Sequence, residues 1–174
     1  MQHKRLLVGI IAVFSVAVVI SLPIFFWNVR RPRFSLEGKV ESFYVRYESG
    51  DNMTIYPSAS EGIALLLGSQ NYMSNIYAQL MWAASDEEVA YARNSTQYVE
   101  LKLKNTYNFT FYVRLSTVDR VENANRILLF LGGSHRGTIL FAREENERTA
   151  YGGSYGVESG ISEFQELVND FQIK

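Results

Sequence analysis

Val99-Glu100-Leu101-Lys102-Leu103-Lys104-Asn105-Thr106-Tyr107-Asn108-Phe109-Thr110-Phe111-Tyr112-Val113-Arg114-Leu115 is the stretch that sets the fold class. Apolar and polar side chains alternate on both sides of Asn105-Thr106. A period of two over this length places one row of side chains on each face of a β-strand and fits no helix. With a turn at Asn105-Thr106, the stretch predicts an antiparallel hairpin with one apolar face, and Asn108 on its polar face.

Downstream, Arg126 to Leu131 is a continuous apolar run that predicts a central strand, turning through Gly132-Gly133-Ser134-His135-Arg136-Gly137 into another strand over Thr138–Arg143. Glu144 to Thr149 reads as a charged turn, and Tyr151 to Gly156 as a loop or a glycine-weakened edge strand. Ile161, Phe164, Leu167, Val168 and Phe171 form an apolar stripe at helical spacing, with Ser162 and Gln165 as its capping pair.

Upstream, Gly38–Tyr47 reads as a strand and Met53–Tyr56 as its short return. Ser58 and Glu61 form a capping-box pattern that opens a helix ending at Gly68. Ser74 to Asn94 fits two periods. Tyr77, Leu80, Met81 and Ala84 have helical spacing, while Ile76, Ala78, Leu80 and Trp82 alternate, and the stretch is read as helix. Ser85-Asp86-Glu87-Glu88 is a further capping box, opening a short helix through Ala92. Five or six antiparallel strands with a C-terminal amphipathic helix packed on one face make an α+β domain.

Leu6 to Trp27 is uncharged and mostly Ile, Val, Leu and Phe. As a helix its 22 residues would span about 33 Å, enough for a hydrocarbon core of about 30 Å, with Phe25, Phe26 and Trp27 as interface anchors. A cleaved signal peptide would need a shorter apolar core and small residues before the cut; Val19-Ile20-Ser21 is followed by Pro23 and four bulky residues. The expected organisation is therefore a transmembrane helix at about 6–27 within an anchor segment 1–33, followed by a domain over 34–174.

The 174-residue chain balances 17 Lys+Arg against 18 Asp+Glu, yet the charges are unevenly placed. Lys4, Arg5, Arg30, Arg31 and Arg33 precede every acid, which leaves the domain near −6. Such a domain lacks the clustered cations of a nucleic-acid binder. The Lys and Arg flanks lean weakly toward a cytoplasmic domain. Three sequons, at Asn52, Asn94 and Asn108, and the short basic N-terminus of a signal anchor point the other way, and an extracytoplasmic domain on a single-pass anchor is the expected topology.

No cysteine is present, which removes thiol nucleophiles, disulfides and thiolate metal sites. His135 is the one histidine outside the N-terminal tail, and it stands beside Arg136 in a glycine-rich turn. The pair could hold an anion or serve as a general base, the basis of a small-hydrolase alternative, but no catalytic set of recognisable spacing accompanies it. The acidic runs Asp86-Glu87-Glu88 and Glu144-Glu145-Asn146-Glu147 lack the spacing of a calcium loop, and neither glycine run matches a nucleotide-binding loop. No metal or cofactor is implied. Tyr44, Tyr112, Tyr151 and Tyr155 fall at positions expected to be partly exposed, which makes Tyr151 and Tyr155, with His135 and Arg136, the candidate ligand or partner contacts. The reading that follows is a membrane-anchored interaction or assembly subunit with a membrane-protein partner. An extracytoplasmic ligand-binding or sensing domain working with a separate transducer is the alternative.

Overall fold

The computed structural model describes residues 34–172 apart from positions 83, 114, 117, 118 and 147. The expected membrane span at 6–27 and the rest of the anchor segment lie outside the described residues; among those that are described, no helix is long and apolar enough to cross a membrane.

Seven strands form one sheet: β1 (Val40–Arg46), β2 (Asn52–Ile55), β3 (Ile76–Leu80), β4 (Tyr98–Tyr112), β5 (Asp119–Phe130), β6 (Thr138–Glu145) and β7 (Arg148–Val157). The order is β2-β1-β4-β5-β6-β7-β3, and every neighbouring pair is antiparallel. Three helices, α1 (Ser60–Met73), α2 (Asp86–Ser95) and α3 (Ile161–Asp170), complete the described domain. The expected α+β class, the antiparallel sheet and the C-terminal helix packed on it are all present.

Strand alternation assigns the two faces. Phe43 and Val45, Val99 and Leu101, Ile127 and Leu129, Ile139 and Phe141, and Tyr155 and Val157 face one side, under Leu65, Tyr72 and Met73 of α1 and Phe164, Val168 and Phe171 of α3. Tyr98, Leu128, Phe130, Leu140 and Ala142 face the other, where Val89 and Ala92 of α2 cover them. Burial on both faces is why Arg126–Leu131 reads as an unbroken apolar run.

The 99–115 stretch departs from expectation at Asn105-Thr106. The chain does not turn there. β4 runs straight through, and between the pairs Lys102↔Arg126 and Tyr107↔Ala124 it uses five residue steps against two in β5. Three surplus residues bulge the strand and bend the hairpin. Odd-numbered residues of β4 stay on the α1/α3 side throughout, but the facing parity of β5 reverses, so that Ala124 points inward beside Ile127. The bent half of the hairpin crosses β6 and β7. Phe111 stacks on Phe141 at 5.5 Å and meets Tyr155 edge-on at 4.9 Å. Beyond it, the Leu115 amide donates to the Tyr77 carbonyl of β3 at 2.9 Å. Phe34 enters this cluster 5.2 Å from Phe111, which fixes the point where the chain joins the domain.

Several local expectations are corrected. Ser58 does not cap α1: the helix starts two residues later with Ala59 at its N-cap, because Pro57 and Ser58 lie in a turn closed by the Ala59 amide on the Tyr56 carbonyl. Gly68 does not stop α1; it sits mid-helix where Phe164 and Leu167 of α3 press so closely that a Cβ would lie 2.7–2.8 Å from them. Ile76–Leu80 is a strand, since β7 supplies a ladder that local helical spacing cannot outweigh. The Ser85 capping box forms in full. Ser162 does not cap α3, which begins at Gly160 in the left-handed region (φ 82). The charged turn narrows to the residues between Glu145 and Arg148, and Tyr151–Gly156 belongs to β7, an interior strand between β6 and β3.

Gly152 and Gly153 of β7 are explained by the bent hairpin. A Cβ at either would collide with the Glu122 carboxylate, which accepts a short hydrogen bond from the Tyr155 hydroxyl. Gly152→Ala should therefore destabilise the domain by about 1 kcal/mol or more, against the modest gain Ala normally brings to a strand interior. In a Glu122→Ala background the same substitution should be neutral or stabilising, a reversal of sign that urea denaturation of the four variants of the cycle would reveal.

Candidate functional site

Two of the described surface clefts meet where β3, the hairpin tip and α2 approach one another, and Trp82 lies between them. One shared donor holds the chain leaving β3: the Ser154 hydroxyl lies 3.3 Å from the carbonyl oxygens of both Leu80 and Trp82, which share its proton. The Trp82 ring stacks on His135 with centroids 4.2 Å apart and planes 21° from parallel, and it meets Phe130 edge-on at 5.8 Å.

Clefts lie on both sides of that ring. On one side a groove of about 780 Å³ follows β3, lined among others by Leu80, Met81, Trp82, Val113, Leu115 and Arg120. Met81 is fully exposed and Leu115 is 74% exposed, so two large apolar side chains stand in water on its rim. The other side holds a cleft of about 250 Å³ between Trp82, His135 and the α2 residues Glu87, Glu88 and Tyr91. Glu88 is committed to capping α2, since it accepts from the amide and hydroxyl of Ser85 at 3.0 and 3.1 Å.

A third cleft, about 430 Å³, lies on the α2 side of β1 and β4 between Tyr44, Tyr98, Arg93, Lys102 and Arg126. Its central carboxylate is Glu100, read from sequence as solvent-facing but buried here. Arg93 forms a short ion pair with one oxygen, and Arg126 approaches the other at 3.2 Å while also reaching Glu144 at 2.9 Å. Both oxygens of this carboxylate are thus engaged by guanidiniums from neighbouring elements, which leaves neither free to face the cleft.

The four candidate contacts do not converge. His135 sits in a 3₁₀ turn (Gly133–His135) against Trp82. Arg136 turns away and donates to Ser162 and Gln165 of α3 at 3.1 and 3.4 Å, tying the turn to that helix. Tyr151 is half-buried on the α2 side, packed against the smaller core cluster of Val89, Tyr98 and Phe130. Tyr155 lies on the opposite face and is fully buried, which corrects its expected exposure: the register of β7 places it beside Val157 and Phe141 in the main core. The sequon residues Asn52, Asn94 and Asn108 are all exposed, with the Asn108 side chain accepting from Asn123 at 2.6 Å. Among the described residues, no three His, Asp or Glu side chains are grouped to hold a metal ion.

Sequence reasoning passed over Trp82, Met81 and Leu115. The first two lie in the stretch with two competing periods, and Leu115 counted as one more inward residue of the expected hairpin. Glu100 carried no local signal, because Arg126 arrives from a different strand.

No protein-family model, curated protein or solved structure matches the chain.

Two expectations follow from this geometry. Glu100→Ala removes the carboxylate partner of the half-buried Arg93 and one of the two that Arg126 holds, and should cost about 1–2 kcal/mol in chemical denaturation, with Glu100→Gln costing less. Burial pushes the Tyr98 phenol up to about 12, and raises Tyr72 and Tyr155 as well, the latter helped by Glu122. A phenol whose folded value lies above its ordinary value of 10.0 adds stability that is intact below pH 10 and is lost as pH rises toward 12. In an alkaline titration these phenolates should appear together with the loss of the β-sheet circular dichroism, and not before it.

Proposed function

We propose that this chain is a single-pass, membrane-anchored interaction protein, an accessory or assembly subunit that acts at the membrane surface without catalysing a reaction. Its partner is another membrane protein, which lays an extended segment along the β3 groove. The observation that carries this reading is the bond from the Leu115 amide to the Tyr77 carbonyl. Tyr77 lies on β3, one of the two outermost strands of the sheet, and its edge accepts backbone from a segment that is not part of the ladder. An edge strand of this kind is a template for strand addition, in which main-chain bonds supply affinity and adjoining side-chain pockets supply selectivity. Met81 and Leu115 on the rim, with Leu80 and Trp82 within the groove, offer the apolar contacts.

The paired state of Glu100 and the stacking of His135 on Trp82 favour binding over proton transfer. The apolar run at 6–27 supports the anchor, and the exposed sequon residues support an extracytoplasmic domain.

A photo-crosslinking residue at position 79 of the full chain, expressed in its native membrane, tests the proposal. The expected result is a discrete adduct that Met81→Asp with Leu115→Asp abolishes while the melting temperature is preserved, since both side chains stand in water. Loss of folding is excluded by the melt, and an adduct indifferent to both substitutions would refute the groove.

A further inference from the structure

We infer that the outward ridge of α1 rests in the headgroup region of a phospholipid bilayer, so that the domain lies on the membrane on its α1 side. The inference rests on reading residues 6–27 as a bilayer span.

α1 is apolar on both sides. Leu65, Tyr72 and Met73 face the core, yet Ile63 and Leu67 face outward at 53% and 61% exposure, with Tyr56 at 60% just before the helix. A helix bathed in water on its outer side carries polar residues there. From Ile63 through Leu67 to Asn71 the outward ridge contains no charge; its one nearby acid is at the N-terminal end, where the Ser60 hydroxyl donates to the Glu61 carboxylate at 2.7 Å. The domain as a whole is near −6 and would be repelled from an anionic surface, so an uncharged ridge is the kind of face that can approach lipid. Tyr56 adds an aromatic ring with a polar tip, the type favoured at membrane interfaces.

The first described residues of the chain run beside this helix. Ile63, Leu67 and Gln70 follow one another at i, i+4 and i+7 along one side of α1. The Gln70 side-chain oxygen accepts the amide of Leu36 at 3.0 Å, and Phe34 and Leu36 are buried. The chain therefore passes Gln70 of α1 at Leu36, two residues after Phe34 has packed against Phe111. Between the apolar run and Phe34 stand six residues, Asn28 to Arg33, which reach about 20 Å at full extension. A domain of this size has a radius of gyration of about 14 Å. The tether is short against those dimensions.

Because the chain has no cysteine, single-cysteine variants of the full protein report on position directly. Ile63→Cys, Leu67→Cys and Ala90→Cys, the last on the exposed side of α2 across the sheet, would carry an environment-sensitive fluorophore. Each would be reconstituted in vesicles of phosphatidylcholine with phosphatidylserine. The expected result is strong quenching of positions 63 and 67 by nitroxide-labelled lipid and weak quenching by aqueous iodide, with the reverse at 90. If all three positions answer to iodide while the protein still floats with the vesicles, the inference fails and the anchor stands. A chain that does not float with the vesicles overturns both. Shielding of position 67 from iodide that grows with protein-to-lipid ratio, without lipid quenching, would assign the ridge to a second copy of the chain and refute the membrane contact. Unchanged thermal melts of the three variants establish that the labels report on the native fold.

Discussion

Five residue steps of β4 lie against two of β5, and most of the architecture follows from that mismatch. A hairpin with matched strands would continue the plane of the sheet and leave its outer apolar row in water. The surplus residues bend it instead, so Phe109 and Phe111 fold down over Phe141 and Tyr155 and close the end of the core that α1 and α3 leave open. Buried aromatic rings of this size each contribute a few kcal/mol of hydrophobic stabilisation, so the closure is a large share of a domain's net stability. The same bend reverses the parity of β5 and turns the Glu122 carboxylate toward the Tyr155 hydroxyl, where Gly152 and Gly153 leave room for it. It also brings Leu115 to Tyr77, and so creates one wall of the β3 groove.

The legibility of the fold in the sequence tracks this division. Segments whose partners impose one rule read correctly: the alternation of Val99–Leu103, the unbroken run of Arg126–Leu131 with helices on both faces, and the stripe of α3. The bulge does not read, because Asn105-Thr106 has the composition of a turn and nothing nearby counts the residues of a strand some twenty positions later. Once the register slips, Arg120-Val121-Glu122-Asn123-Ala124 carries its acid inward and Val121 outward, the opposite of a pattern that sequence reasoning can recognise. Capping shows the same limit. Ser85 and Glu88 bond reciprocally because α2 starts where they stand, whereas Ser58 and Ser162 have the same spacing but tertiary contacts set the helix starts elsewhere.

The candidate site was less legible than the fold. His135 was visible as a lone histidine in a glycine-rich turn, but its neighbour Trp82 comes from a stretch whose strand character depends on β7. The Glu100 cluster is built from α2, β4, β5 and β6, and each of its members reads locally as an ordinary surface charge. Ion pairs assembled from four elements leave no spacing in a linear sequence. Their burial is a property of the sheet order.

Membrane attachment and partner capture make different physical demands, and the proposed reading places them on separate parts of one rigid sheet. α1 belongs to the helical layer against one face, beside the point of chain entry, while the β3 groove lies at the sheet's edge strand. Strand addition along a five-residue edge offers few main-chain bonds and would be weak between freely diffusing proteins. Anchoring changes that balance. In the proposed reading both proteins are held in one membrane, which confines them to a thin layer and raises the frequency of their encounters, so a modest groove would be sufficient for capture without a large interface. A ridge resting on lipid would strengthen the effect, because it removes rotation of the domain about its tether and presents the groove at a constant height. Under that constraint, the apolar groove at Met81 and Leu115 needs only enough affinity to hold a partner already brought alongside.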